Sequence, residues 1–228
     1  MANMKASAGA FGRAPETLWK ALRLMVITDP ILAAPRSVEE VVEEALTAGA
    51  RGIQLRDKEA SARELLARGR VLREMTWRHQ ALLFINDRFD LALAVKADGV
   101  HLGPHDLPVG AVRQVAPEGF LIGHSTDIPE VAQGAVVDGA DYIGCGAVRA
   151  TTSKADAGEE IGIEELERVA QAVEVPVLGI GGIDAELARE VAERTSAAGV
   201  AVIGAVMKAP DPGEAVRALL RPFQERRI

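Results

Sequence analysis

Short apolar runs alternate with longer amphipathic segments along almost the whole chain. The runs are Leu24–Thr28, Gly52–Leu55, Ala81–Ile85, Gly99–Leu102, Leu121–Gly123, Tyr142–Cys145, Val177–Ile180 and Val200–Ile203. Most lack apolar–polar alternation, which is the pattern of parallel strands buried on both faces. The segments between them carry helix signals. Ser37 with Glu40 and Ser61 with Glu64 have the spacing of capping boxes. After the first box, Val38, Val41, Val42, Ala45 and Leu46 share one helical face. Asp127 before Pro129 and Asp184 before Leu187 are expected to cap two further helices.

Eight strand–helix units fill the length and leave no remainder for a second domain. The predicted fold is a single α/β domain, a (β/α)8 TIM barrel with a short N-terminal extension. An internal echo supports it: residues 48–53 (AGARGI), 96–100 (KADGV), 138–143 (DGADYI) and 197–200 (AAGV) resemble one another, and each closes a helix and opens an even-numbered strand. The rival is an open doubly wound sheet, but no glycine-rich dinucleotide fingerprint follows the first run. Residues 1–17, rich in Ala, Gly and Ser, read as a mobile tail, with a short helix near Thr17–Leu22; residues 18–228 form the barrel domain.

Composition narrows the function. The 228-residue chain carries a net charge of −7, which argues against nucleic-acid binding by bulk charge. No apolar run approaches the ~20 residues of a membrane helix. The N-terminus lacks the apolar core of a secretory signal, so a cytoplasmic location is the expectation. A single cysteine, Cys145, excludes an internal disulfide framework and a multi-cysteine zinc site.

Barrel enzymes work at the C-terminal ends of their strands, and those ends are polar here. The second run leads into Gln54-Leu55-Arg56-Asp57-Lys58, and alternation turns Gln54, Arg56 and Lys58 to one side and Leu55 to the other. The third ends in Asn86-Asp87 and the fourth in a loop carrying His101, His105 and Asp106. Asp87 and Asp106 stand on neighbouring strands. Two carboxylates with water and phosphate oxygens suit Mg2+, whereas zinc through His101, His105 and Asp106 lacks a further convergent ligand. The fifth run leads into Gly123-His124-Ser125-Thr126, whose hydroxyls can donate to an anion. A long loop follows the sixth, with Thr151, Thr152 and Ser153 leading to Lys154, a pattern for a phosphate clamp and lid. Gly181 and Gly182 after the seventh run, with Ile203 and Gly204 before a short helix at Ala205–Lys208, match the phosphate site common to these barrels. Plain structural readings also stand for each cluster: solvated strand ends, helix caps and turns, a flexible polar loop, and glycines placed for close packing.

Two anion sites follow. One is cationic and metal-assisted, with Arg56, Lys58 and Lys154 beside Asp87 and Asp106; its charge balance suits a diphosphate. The other is a neutral backbone cradle at Gly181, Gly182 and Gly204.

These residues resemble the thiamine-phosphate synthase family. The resemblance rests on Gln-Leu-Arg-Asp-Lys at 54–58, Ile-Asn-Asp-Arg at 85–88, Gly-Val-His-Leu-Gly-Pro-His-Asp-Leu-Pro at 99–108, Gly-His-Ser-Thr at 123–126, Gly-Ala-Asp-Tyr-Ile-Gly at 139–144 and Ile-Gly-Gly-Ile at 180–183, in order from about residue 24 to residue 212. It implies a transferase that joins an aminopyrimidine methyl diphosphate to a thiazole phosphate, releasing diphosphate and giving thiamine phosphate. It also implies that Gln54, Arg56, Lys58, Asn86, Ser125 and Lys154 hold the pyrimidine diphosphate, within a 54–58 segment that includes Leu55 and Asp57. Asp87 and Asp106 would bind Mg2+. Thr151, Thr152, Ser153, Gly181, Ile203 and Gly204 would hold the thiazole phosphate, and Lys154, Arg56 and Lys58 would act in catalysis. The partners are these small molecules, with no nucleic acid or membrane; a homo-oligomer stays open. The chain departs from the family pattern in having Thr-Thr-Ser-Lys at 151–154 for Thr-Pro-Thr-Lys, Ile203-Gly204 for Val-Ser, and no aromatic at Val148-Arg149. Two alternatives remain. The sister thiazole tautomerases carry a catalytic His where this chain has Asp127, and a non-catalytic barrel would bind thiamine precursors without turnover.

Overall fold

Every apolar run forms a strand, and the strands close on themselves. In this computed structural model, which describes residues 15–151 and 159–225, parallel strands β1 (Leu24–Ile27), β2 (Gly52–Leu55), β3 (Leu82–Asn86), β4 (Gly99–Leu102), β5 (Leu121–Ser125), β6 (Tyr142–Cys145), β7 (Val177–Ile180) and β8 (Gly199–Val202) pair in sequential order into a closed barrel. Between them lie α1 (Pro15–Ala21), α2 (Pro30–Ala33), α3 (Val38–Thr47), α4 (Ala62–Arg78), α5 (Phe89–Ala94), α6 (Val109–Val115), α7 (Pro129–Val137), α8 (Gly162–Ala172), α9 (Ala185–Arg194), α10 (Gly204–Met207) and α11 (Pro212–Glu225). Strands β3 and β5 run on to Asn86 and Ser125, so both polar residues stand on the sheet rather than in loops.

The local signals act as their chemistry requires. Ser37 Oγ accepts from the Glu40 N–H at 3.2 Å, and the Glu40 carboxylate accepts from the Ser37 N–H at 2.7 Å. Ser61 and Glu64 repeat the arrangement, and Asp184 accepts from the Leu187 N–H at 2.8 Å. Asp127 departs from expectation. The N-cap of α7 is Ile128, whose N–H donates to Thr126 Oγ1 at 3.2 Å, and Asp127 instead lines the barrel mouth. Helix α2 was not foreseen; Asp29 caps it by accepting from the Ile31 and Leu32 N–H groups, each at 3.0 Å. The N-terminal helix α1 starts at Pro15, before the expected Thr17, with proline in a first-turn position where its missing N–H is not needed. Residues 1–14, most of the expected tail, lie outside the described residues.

The internal echo has a structural counterpart at the N-terminal face of the barrel. Before β4, Asp98 accepts from the Leu83 N–H at 2.8 Å and from Arg73 of α4 at 2.6 Å. Before β6, Asp141 accepts from the Ile122 N–H at 2.7 Å and from Arg113 of α6 at 2.6 Å. The same turn thus ties each new strand to the preceding strand and its helix, on the face where such residues serve stability.

Tyr142 fills the barrel interior. It is fully buried, meets Phe84 edge-on with ring centroids 5.2 Å apart, and occupies the space that a side chain at position 123 would need. A Cβ on Gly123 would stand 2.1 Å from the Tyr142 ring, so glycine is required there. Cys145, on the opposite, helix-facing side of β6, is also buried; burial pushes its thiol up to about 12, which removes thiolate reactivity.

Candidate active site

Two adjoining cavities open at the C-terminal ends of the strands. The first, of about 380 Å³, is lined by Arg56 and Lys58 beyond β2, Asn86 and Asp87 at β3, His105 and Asp106 beyond β4, and Ser125 of β5. The second, of about 510 Å³, lies over β7 and β8 and is lined by Gly181, Gly182, Ile203, Gly204 and Lys208. Thr151, Ile180 and Gly181 border both, so ligands in the two cavities would meet across them.

Period-two alternation sorts the segment 54–58 as expected. Gln54 points into the barrel, and Arg56 and Lys58 line the mouth. Leu55 and Asp57 do not line either cavity. Leu55 is buried against α4 near Gly69. Asp57 turns outward to Arg68 of α4 at 2.8 Å and accepts from the Glu59 and Ala60 N–H groups, each at 3.2 Å. Their part in the site is therefore to hold the segment.

Asp87 and Asp106 meet as their strands predict. Asp87 has φ +61°, a left-handed conformation that Asp and Asn tolerate better than most residues. Its N–H donates to the His101 carbonyl at 2.8 Å, which fixes the turn beyond β3. Asp106 folds its loop by accepting from the Gly103 N–H at 2.6 Å. Burial pushes the Asp87 carboxyl up to about 6; contact with the Asp106 carboxyl adds to this, while Lys58 and Arg56 oppose it. Two crowded carboxylates beside two cations would suit a divalent cation together with a polyanion. No cluster of three or more His, Cys, Asp or Glu occurs among the described residues; a Mg2+ ion held by Asp87 and Asp106 would take its remaining ligands from water and phosphate oxygens. A zinc role for His101 has no support in the geometry. Its Nδ1 lies 3.0 Å from the Tyr142 hydroxyl and its Nε2 2.7 Å from Ser125 Oγ. His124 turns away from Ser125 as adjacent strand residues must, and burial holds its imidazole below the ordinary range.

The floor beneath the first cavity is polar. Gln54, His101, Ser125 and Tyr142 surround a small void there. Gln54 Nε2 donates to Met25 Sδ at 3.3 Å, whereas its buried Oε1 has no hydrogen-bond partner. A buried unpaired acceptor is costly unless a ligand supplies the donor.

In the second cavity the glycines combine both expected roles. Gly181 has φ +96°, and a Cβ there would lie 2.6 Å from Ala147 Cβ. Gly182 has φ +63°. Packing and the cradle thus use the same residues. Thr152, Ser153 and Lys154 lie outside the described residues. Sequence reasoning gave no site role to Thr28, Tyr142, Ile180 or Lys208, which the structure places at or beneath the cavities. Ile180 closes an apolar strand and Lys208 ends the short helix expected at Ala205–Lys208, patterns that by themselves mark no cavity-lining residue.

Fold and site together define a class: a (β/α)8 barrel with a cation-and-carboxylate cavity beside a glycine-lined one at its catalytic face. The family model described as thiamine monophosphate synthase matches residues 24–206. A thiamine-phosphate synthase of Roseiflexus castenholzii is 47% identical over 194 residues, covering 85% of this chain and 85% of that protein. One from Moorella thermoacetica is 45% identical, covering 86% and 93%. The solved thiamine phosphate pyrophosphorylase of Pyrococcus furiosus superposes with a TM-score of 0.83 at 44% identity, over 91% of this chain and 98% of that one. This chain belongs to the thiamine monophosphate synthase family. No helix among the described residues is long and apolar enough to cross a membrane.

Proposed function

We propose that the chain is a transferase of thiamine biosynthesis that joins an aminopyrimidine methyl diphosphate to a thiazole phosphate, giving thiamine phosphate and diphosphate. The observation that supports this best is the shared border at Thr151, Ile180 and Gly181 between the two cavities. It lets one ligand's reacting carbon face the other ligand's nitrogen.

We assign the diphosphate to the first cavity, against Arg56, Lys58, Asn86 and Ser125, and the thiazole phosphate to the second, against Thr151, Gly181, Ile203 and Gly204. Lys208 adds a cation to that second rim. The unpaired Gln54 oxygen suits the exocyclic amino group of the pyrimidine, which would orient the ring over Tyr142. Asp87 and Asp106 are the residues to hold Mg2+. When bound there, the ion neutralises charge on the departing diphosphate.

The bonds balance without a base. The methylene carbon–oxygen bond breaks, and its electron pair leaves with the diphosphate. The thiazole nitrogen then gives its lone pair to the methylene carbon and becomes the ring cation. That nitrogen carries no proton to lose, so no activated nucleophile is required. Arg56 and Lys58 stabilise the growing negative charge, and positioning supplies the rest. We assign Lys154 to the same charge from the loop of Thr152 and Ser153, on the strength of the family resemblance; Lys154→Ala should lower kcat by about 10²–10³.

The test is incubation of the purified chain with both substrates and Mg2+. Thiamine phosphate and diphosphate should appear in equal amounts. Conversion of a thiazole phosphate isomer alone, with no joined product, would favour the tautomerase reading; binding of both substrates without product would favour the non-catalytic one.

A further inference from the structure

We propose that Thr28 is a positioning residue for the diphosphate-binding strand end and acts through the backbone of Arg56. The inference rests on placing the diphosphate in the first cavity.

Thr28 directly follows β1 and is fully buried. Its N–H donates to the Gln54 carbonyl at 2.9 Å, continuing the parallel ladder between β1 and β2. In an unbroken ladder the Arg56 N–H would next donate to the Thr28 main chain. It donates instead to Thr28 Oγ1 at 2.9 Å, and the same hydroxyl donates back to the Arg56 carbonyl at 2.9 Å. One side chain thereby holds both main-chain polar groups of one residue. A hydroxyl can do this because it carries one proton and two lone pairs on a single atom.

The clamp falls where the chain leaves the sheet for the mouth. Arg56 turns its side chain into the cavity, and Lys58 follows two residues later. On the far side the segment is anchored by Asp57, which accepts from the Glu59 and Ala60 N–H groups and pairs with Arg68. Arg56 therefore sits between two anchors. The near one is a hydroxyl that an isosteric valine cannot replace.

Small misplacement of a charged group weakens catalysis far more than it weakens a fold. Thr28→Val and Thr28→Ser in the full chain separate the roles, each assayed with Mg2+ and checked for its melting temperature. Thr28→Val should raise the KM for the pyrimidine diphosphate about tenfold and leave the KM for the thiazole phosphate within about twofold. Thr28→Ser, which keeps the hydroxyl, should keep both within about twofold. Calorimetric binding of inorganic diphosphate with Mg2+ repeats the comparison without turnover, and so separates a failure here from a failure of the assigned reaction. An unchanged KM for the diphosphate substrate in Thr28→Val overturns the proposal. So does an equal rise of both KM values, or a Thr28→Ser variant as impaired as Thr28→Val.

Discussion

His101 Nε2 lies 2.7 Å from the Ser125 hydroxyl, and its other ring nitrogen lies 3.0 Å from the Tyr142 hydroxyl. The three side chains form one hydrogen-bonded row across the barrel floor, from β4 to β5 and β6. Tyr142 is fully buried, and burial raises its phenol well above the ordinary range, so its hydroxyl keeps its proton at neutral pH. Ser125 lies on β5 at the edge of the mouth, and its hydroxyl is held by His101, which lines the same cavity.

That row predicts non-additive losses. Ser125→Ala should lower kcat/KM for the pyrimidine diphosphate by about 1.5–3 kcal/mol, the worth of a hydrogen bond to a charged group. His101→Leu should cost a similar amount, and the double variant no more than the worse single one. A double-mutant cycle whose coupling is about as large as the smaller single loss supports the row. Fully additive losses would show that His101 acts without Ser125.

Stability and chemistry should separate by face. Asp98 lies at the N-terminal end of β4, bonded to Arg73 and to the Leu83 N–H, with both side chains of the ion pair 17% exposed. Asp98→Ala leaves a mostly buried guanidinium and a strand N–H without this partner. Denaturant unfolding should show a loss of about 2–4 kcal/mol, while kcat and both KM values stay at wild-type levels. A change in KM with unchanged stability would contradict the division.

The second cavity should respond to small changes at its rim. Gly204 opens α10 and is not among the glycines with positive φ, so its backbone accepts a side chain. Gly204→Ser should therefore fold normally and lower the KM for the thiazole phosphate by roughly two- to tenfold through an added hydrogen bond. Lys208→Ala should raise that KM by a similar factor and leave the KM for the diphosphate substrate alone. Steady-state kinetics with each substrate varied in turn reads both; a shift in the diphosphate KM instead would move Lys208 out of the phosphate cavity.

What was legible in the sequence was local. Eight apolar runs, two capping boxes and the alternation through Gln54, Arg56 and Lys58 each depend on neighbours a few residues away, and each has its counterpart in the structure. Asp87 and Asp106 were also legible, because strand order in a barrel puts consecutive strand ends side by side. Asp127 was misjudged because an Asp before a Pro looks like a cap, whereas Thr126 supplies the bond to Ile128. Thr28, Tyr142 and Ile180 were missed for the opposite reason. Each reads as ordinary strand residue, and its role exists only once β1 meets β2, β4 meets β6 through His101, or the two cavities meet over β7.

The central claim is that the Asp87–Asp106 cavity receives a diphosphate together with Mg2+, apart from the phosphate cavity. Calorimetric titration of the chain with inorganic diphosphate tests it most directly, in Mg2+ and in EDTA, for the wild type and for Asp87→Asn, which keeps the left-handed preference at that position. The wild type should bind diphosphate at least about tenfold more tightly with Mg2+, in line with a metal that completes its shell from phosphate oxygens. Asp87→Asn should lose that gain. Equal diphosphate affinity in Mg2+ and EDTA, or an Asp87→Asn variant that keeps the full Mg2+ effect, would contradict the account.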